Sequence, residues 1–356
     1  MRHIIEQFII KGTYQSHILY GSGHINETYL VIMTNPDVKY ILQKINHRIF
    51  KQVPQLMLNY EKVTQYMKNH VLEGQVFIQL FYTKDHQPFY ADETGYYRMI
   101  SYIDHAVAYQ TIPSETHMFL AGQAFGIFQN QLSNFDATTL YETIAFFHHT
   151  PKRFENLEVA IKKASFERLN QAQSWINYAL SFKPYSSTII DAIQKATIPM
   201  RVTHNDTKMN NILFDDQKLE VKCIIDLDTI MPGSLLYDFG DAIRFGCNTA
   251  LEDEKDITKI QFNTAYFKAY TKGFLHAVKP FITTNEVEML VDGAIMMTLE
   301  TGIRFLTDYL ENDIYFKIHY SEHNLVRAIN QLTYLRKMSD IQTKLRSMVD
   351  QLWRDL

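Results

Sequence analysis

The sequence predicts an α+β protein in two lobes: an N-terminal antiparallel sheet lobe with one inserted helix, and a larger, mainly helical C-terminal lobe. Three observations lead there. The first hundred residues carry short strand-like runs separated by turn residues, interrupted once by a stretch with helical spacing. From about residue 113 onward apolar residues recur at helical intervals. One strand-like break, "NILFDDQKLEVKCIIDLD" at 211–228, lies inside the helical half. The expected division is 1–103 for the sheet lobe and 104–356 for the helical lobe.

Taken in order, "SHILYGSGHINETYLVIM" reads as two strands joined by a glycine-bearing turn. "NPDV" is a turn, and "KYILQKI" is a third strand. "VPQLMLNYEKVTQYMKNHVL" switches period, with Pro54 near its start and Leu56, Tyr60, Val63 and Met67 on one face. "QVFIQLFYT" and "YYRMISYI" return to strand across a polar turn at "KDHQ". The helical lobe opens with "SETHMFLAGQAFGIFQNQL", where Ser114 offers an N-cap although the third position holds His117 rather than Glu. Further helices are expected at 155–183, 187–196, 259–279, 285–310 and 322–354. The break at 211–228 reads as a hairpin turning at Asp215, Asp216 and Gln217.

Composition narrows the function classes. With 356 residues, 46% hydrophobic and 21% charged, the profile is that of an ordinary globular protein. A formal charge of −4 supplies no basic field for nucleic acid or an acidic membrane, so neither partner is expected. Cys223 and Cys247 both lie in apolar or glycine-rich surroundings, which points to a reducing, cytoplasmic setting without disulfides. "MRHIIEQFII" is too short and interrupted for a secretory leader, and no apolar run approaches the roughly 18 residues that span a bilayer. Monomer and homodimer both remain open.

Chemistry concentrates in "VTHNDTKMNNILFDD", 202–216, where His204, Asp206, Lys208, Asn210 and Asn211 crowd between apolar flanks. Folding the hairpin back brings the residues before its first strand close to Asp226 after its second. Phosphoryl transfer uses such a set: one carboxylate accepts the proton of the attacking hydroxyl, and another holds Mg²⁺ against the phosphates. Asn211 stands where an amide oxygen completes the metal shell. The spacing His204-x-Asp206-x-x-x-x-Asn211, then an apolar hairpin, then Asp226, has the form of a kinase catalytic loop with its metal-binding aspartate. The competing reading, a polar hairpin shoulder chosen for turn chemistry, explains neither the second Asp nor the glycine turn in a separate lobe.

"THNDTKMNNILFD" together with "IIDLDTIMPGSLLYDFGDAIR" resembles the aminoglycoside phosphotransferase group of small-molecule kinases, which have a protein-kinase-like fold. Within that group, "GSGHINETYLV", "ILQKIN" and "TGIRFLTDYLENDIYFK" look closest to the N-acetylhexosamine 1-kinases. The likeness spans about 15 to 325, most of the chain. It implies that Asp206 is the base, that Asn211 and Asp226 hold Mg²⁺, that His204 braces the loop, and that Asp238 ties it to the helical lobe. Lys208 would steady the transferring phosphoryl group. Asp228 is left without a defined part.

The same resemblance makes "GSGHINETYL" the ATP loop, with Gly21, Ser22 and Gly23 letting the backbone approach the phosphates and Asn26 and Thr28 donating to them. The lysine usual in the third strand is missing. Gln43 stands in its place, unless a bulge turns Lys44 inward, and Glu61 is the available helix carboxylate. Adenine would meet the backbone of Ser101, Tyr102 and Ile103. The implied acceptor is a sugar, held by His24, Phe245, Arg304 and Tyr315 beside Asp206. A guanidinium in the acceptor pocket disfavours cationic choline, ethanolamine or an aminoglycoside, while homoserine and methylthioribose stay open. An inert nucleotide-binding relative and a metal-dependent hydrolase are the readings from other classes.

Overall fold

The computed structural model describes residues 1–21, 25–70 and 76–356. In chain order the helices and strands of the first part are α1 (Arg2–Ile5), β1 (Thr13–Leu19), β2 (Glu27–Thr34), β3 (Val38–Ile45) and α2 (Val53–Lys68). β4 (Leu80–Phe81), β5 (Tyr90–Asp92), β6 (Gly95–Ser101) and β7 (Ala106–Val107) follow. Then come α3 (Glu115–Gln131), α4 (Thr150–Lys163), α5 (Phe166–Ser181), α6 (Thr188–Gln194) and β8 (Arg201–Thr203). The hairpin strands are β9 (Ile212–Asp215) and β10 (Val221–Ile224). The chain ends in α7 (Leu235–Gly246), α8 (Thr264–Val278), α9 (Thr284–Glu288), α10 (Leu290–Leu310), α11 (His323–Asp340) and α12 (Gln342–Arg354).

The α+β expectation holds, with an antiparallel sheet toward the N-terminus and helices toward the C-terminus. The compact units, however, are not contiguous in sequence. The first gathers Met1–Ala108, Asn134–Ala145 and Asn211–Pro232, and the second gathers Tyr109–Ser133, Phe146–Asn210 and Gly233–Leu356.

In the first unit the main sheet runs β1-β2-β3-β6-β4, with β5 on β6, and its neighbouring strands pair antiparallel. Alternation along the strands gives each face an apolar layer. Tyr40, Leu42, Tyr97 and Met99 pack on Ile4, Ile5 and Phe8, so one face is closed by the short helix α1. β9 and β10 pair as the expected hairpin, and β7 adds a third strand beside β9. The turn is longer than expected, from Asp216 to Glu220. Asp215 organises it by accepting the backbone N–H groups of Gln217 at 2.8 Å and Lys218 at 2.9 Å. Those bonds and Lys222 hold its carboxyl down to about 2. Among the described residues of the run expected as strand at 75–83, only Leu80–Phe81 is strand.

The second unit is helical around α3, α7, α8 and α10. Three expected helices are each split, one of them, 285–310, at Met289 between α9 and α10. The stretch 155–183 breaks at Ser165, whose hydroxyl caps α5 while Ala164 is extended. The stretch 322–354 breaks at Ile341, between α11 and α12. α4 also starts earlier than expected, at Thr150 with Pro151 in its first turn. α7 was not expected at all. It crosses α10 with backbone against backbone: a Cβ on Gly240 would lie 2.3 Å from the carbonyl oxygen of Gly293, and one on Gly293 would lie 2.4 Å from that of Leu236. Gly240→Ala is therefore expected to cost about 1–3 kcal/mol through forced separation of the helices, read as a lowered thermal midpoint. An unchanged midpoint would show that the crossing relaxes freely.

Candidate active site

β8 delivers the chain to the loop at 204–208, and α7 holds that loop by its backbone. Asp238 accepts the N–H of His204 at 2.9 Å, the N–H of Asn205 at 2.7 Å and the Gln129 side-chain amide at 2.5 Å. One turn further along α7, Asp241 accepts the N–H of Thr207 at 3.1 Å, and Thr207 donates its hydroxyl to the carbonyl of Asp238 at 2.6 Å. Arg244 completes the row, pairing with Asp241 at 2.8 Å. Asp238 is fully buried, and burial pushes its carboxyl up; His204 and the two loop amides oppose that shift.

His204 is equally buried, flanked edge-on by Phe125 and Phe128 of α3. Its Nδ1 accepts the N–H of Asp206 at 3.3 Å. The imidazole thus shapes the turn before Asp206. Asn205 sits in the left-handed region with φ +64°, which reverses the chain there and which Asn tolerates better than most residues. Asp206 itself is partly exposed, with Lys208 Nζ 2.7 Å from its Oδ1. The Asp206 carboxylate raises the Lys208 ammonium above its ordinary value. A carboxylate with a cation beside it, on a loop fixed at three amides, can orient a hydroxyl and take its proton.

In the first unit the hairpin returns Asn211 and Asp226 to neighbouring positions. Ile212 pairs with Ile224, and the carbonyl of Asn211 accepts the N–H of Ile225 at 2.9 Å. Asp226 follows in a left-handed conformation, φ +64°, that ends the strand and starts a short turn. An amide oxygen and a carboxylate are hard donors of the kind Mg²⁺ accepts, leaving its remaining positions to water and phosphate. These residues fit that ion.

Asp228 and the third strand form a second cluster within the same unit. The ladder through β3 is unbroken, with Gln43 opposite Thr28 on one side and Arg98 on the other, while Lys44 lies opposite Glu27 and Tyr97. No bulge brings Lys44 in. The Gln43 amide donates to Thr28 at 3.2 Å, and its carbonyl accepts from Arg98 Nε at 2.9 Å and Nη2 at 2.7 Å. Arg98 Nη1 pairs with Asp228 Oδ1, and both side chains are buried. Asn26, expected to donate to phosphate, instead donates to Asp228 Oδ2 and accepts the N–H of Asn46 at 2.9 Å. Glu61 takes Gln65 as its partner at 3.3 Å rather than a strand lysine. Arg98 was missed in the sequence, where its one signal is a lone Arg in an apolar strand.

The other expected residues fall as follows. Gly21 has φ +81°, the left-handed backbone a turn after β1 requires. Ser22, Gly23 and His24 lie outside the described residues. β6 ends at Ser101, so Tyr102 and Ile103 follow its last paired position. In the second unit Phe245 is half-buried in the last turn of α7. Arg304 of α10 sits between the rings of Phe147 at 5.7 Å and Phe316 at 5.5 Å, and Tyr315, largely exposed, meets Phe316 edge-on at 4.8 Å. Arg304 and Tyr315 therefore share one aromatic neighbour. Beside them lies a group the sequence did not reveal: buried Glu300 accepts from Thr150 at 3.1 Å, and His148 Nδ1 and Arg153 Nε lie 3.1 and 3.9 Å from it. Burial works against the Glu300 charge, but His148, Arg153 and Arg304 outweigh it and hold the carboxyl low.

Comparison with known proteins gives the family and the fold. The model of the phosphotransferase enzyme family matches residues 17–279. An aminoglycoside phosphotransferase from Alicyclobacillus acidocaldarius superposes with TM-score 0.65 at 11% identity, over 99% of this chain and 96% of that one. A choline kinase from Cryptosporidium parvum gives TM-score 0.57 at 12% identity, over 95% and 92%. A spectinomycin phosphotransferase solved with ADP and spectinomycin gives 0.51 at 12%, again over 95% and 92%. At these identities the solved structures speak for the fold. The family match covers most of the sequence, including the loop at 204–208 and the hairpin after it, and the chain belongs to the phosphotransferase enzyme family.

Proposed function

We propose that the protein is an ATP-dependent kinase that phosphorylates a sugar hydroxyl, the anomeric 1-hydroxyl of an N-acetylhexosamine (N-acetylglucosamine or N-acetylgalactosamine). The observation that carries the kinase reading is the loop at 204–208, with Asp206 presented beside Lys208 and three backbone amides fixed by Asp238 and Asp241. In the reaction the sugar hydroxyl oxygen attacks the γ-phosphorus, the bond to the bridging oxygen breaks, and ADP leaves with those electrons. Asp206 orients the hydroxyl and takes its proton. Asn211 and Asp226 would hold Mg²⁺, which offsets phosphate charge when bound. Lys208 gives Asp206 a cationic neighbour and counters charge building on the transferring group. Gly21 with Ser22 and Gly23, Thr28 and Gln43, and the backbone at Ser101 to Ile103 would line the nucleotide.

Support for a sugar comes from the second unit. Arg304, Tyr315 and Phe245 offer a guanidinium, a phenol and a ring, a set suited to the hydroxyls, amide and flat face of an acetamido sugar, with His24 as a further contact. Two guanidinium groups accompany the single Glu300 carboxylate, a balance that repels a cationic acceptor such as choline, ethanolamine or an aminoglycoside. Homoserine or methylthioribose is the alternative acceptor, and a nucleotide-binding relative without turnover is the alternative class. The proposed setting is cytoplasmic, as a monomer or homodimer. Among the described residues no helix is long and apolar enough to cross a membrane.

ADP release with Mg²⁺–ATP over a panel of N-acetylglucosamine, N-acetylgalactosamine, glucose, galactose, choline, ethanolamine, homoserine, methylthioribose and kanamycin tests this. Turnover is expected on an N-acetylhexosamine, with Arg304→Ala raising its KM about tenfold or more through loss of a charged hydrogen-bond donor. Turnover only on choline or kanamycin would overturn the sugar reading. ADP binding without turnover on any acceptor would favour the non-catalytic one.

A further inference from the structure

Asp228 has no part in the reaction above, yet it is a buried carboxylate two residues from the exposed Asp226. It is 4% exposed, and its two oxygens face partners from different segments: Oδ1 takes Arg98 of β6 and Oδ2 takes Asn26 ahead of β2. Arg98 is 1% exposed and uses its whole fork, with two donors on Gln43 of β3 and one on Asp228, over the ring of Tyr60 from α2 at 4.5 Å. A buried cation is costly unless its partners are this well placed, and only a guanidinium satisfies both acceptors at once. The chain Asn46–Asn26–Asp228–Arg98–Gln43–Thr28 thus joins the residue that follows the glycine turn to the third strand and to the turn bearing Asp226.

We propose that Arg98 and Asp228 are a positioning pair for the nucleotide site. Arg98 supplies the buried cation that the third strand lacks, and Asp228 registers Asn26 against the turn that carries Asp226. Asp228 is on this view a positioning residue and not a metal ligand. The proposal rests on the nucleotide-dependent reading above.

The test exploits hydrogen-bond polarity. Asp228→Asn puts an amide against either Asn26 or Arg98, setting donor against donor in both orientations. Asn26→Asp combined with Asp228→Asn restores the pattern, since Asp at 26 accepts from Asn at 228 and from the Asn46 N–H. ADP affinity is measured by calorimetry with Mg²⁺ and with EDTA, alongside the thermal midpoint. Asp228→Asn is expected to weaken ADP about tenfold or more in both media, and the double variant to recover most of that loss. Equal ADP affinity in the folded single variant, with only the midpoint lowered, would overturn the proposal and leave the pair merely structural. A loss confined to the Mg²⁺ arm would overturn it in favour of a metal ligand. If Asp228→Asn does not fold, Arg98→Lys takes its place: it keeps the charge but loses the fork, so unchanged ADP affinity overturns the proposal there. Wild-type protein that binds no ADP would instead defeat the kinase reading itself.

Discussion

Asp206→Asn is expected to lower kcat on the sugar acceptor by roughly a hundred- to ten-thousand-fold, the usual contribution of a positioned general base. The amide keeps the shape of the side chain and can still accept from the hydroxyl, but it cannot take the proton. The fold should survive. The loop is held through the amides of His204, Asn205 and Thr207 by Asp238 and Asp241, none of which involves the Asp206 carboxylate. The expected signature is therefore a large loss in kcat, little change in KM for ATP, and a thermal midpoint near that of the wild type. Residual turnover within about tenfold of wild type would mean that Asp206 only orients the acceptor.

Asp238→Ala is expected to be the most destabilising single change in the loop's support. It strands the N–H groups of His204 and Asn205 and the amide of Gln129 in a buried setting, and each buried unsatisfied donor costs about 1–3 kcal/mol. Together these amount to about 3 kcal/mol or more, a large fraction of the stability of a typical domain. Denaturant unfolding followed by circular dichroism reads the loss directly. Asp238→Asn serves as the graded variant: it keeps one acceptor oxygen and should fall between wild type and Ala. An Ala variant as stable as wild type would mean that water replaces the carboxylate without cost.

The loop and hairpin were legible in the sequence because their chemistry is local. His204, Asp206 and Asn211 lie within eight residues, and the apolar hairpin after them returns the chain beside Asn211 just before Asp226, although its turn fell at 216–220 rather than 215–217. α7 was not legible for the opposite reason. Helices are found by a polar stripe against an apolar one, and in "LLYDFGDAIRFG" every residue except Phe245 is buried, Asp238, Asp241 and Arg244 included. The i, i+3 spacing of Asp238 and Asp241 was the available signal, and it points to two carboxylates on one helix face.

Arg98 and Asp228 were illegible because nothing local links residues 130 apart; only the register of β6 against β3 selects that arginine. Glu300 and His148, separated by 152 residues, were hidden in the same way. The split at Ser165 was missed because one helical periodicity runs through a residue that serves as a cap rather than a midpoint.

The glycine crossing of α7 on α10 bears on how the loop can move. With backbone resting on backbone at Gly240 and Gly293, and the Met297 and Leu236 side chains packed tightly beside them, the two helices have little room to slide over one another. The carboxylates that grip 204–208 therefore sit on a mount without compliance. Amide hydrogens along the middle of α7 should exchange with solvent only when the helical unit opens as a whole. Whatever adjustment turnover demands must come from side chains such as Asp206 and Lys208, not from a swing of the helix beneath them.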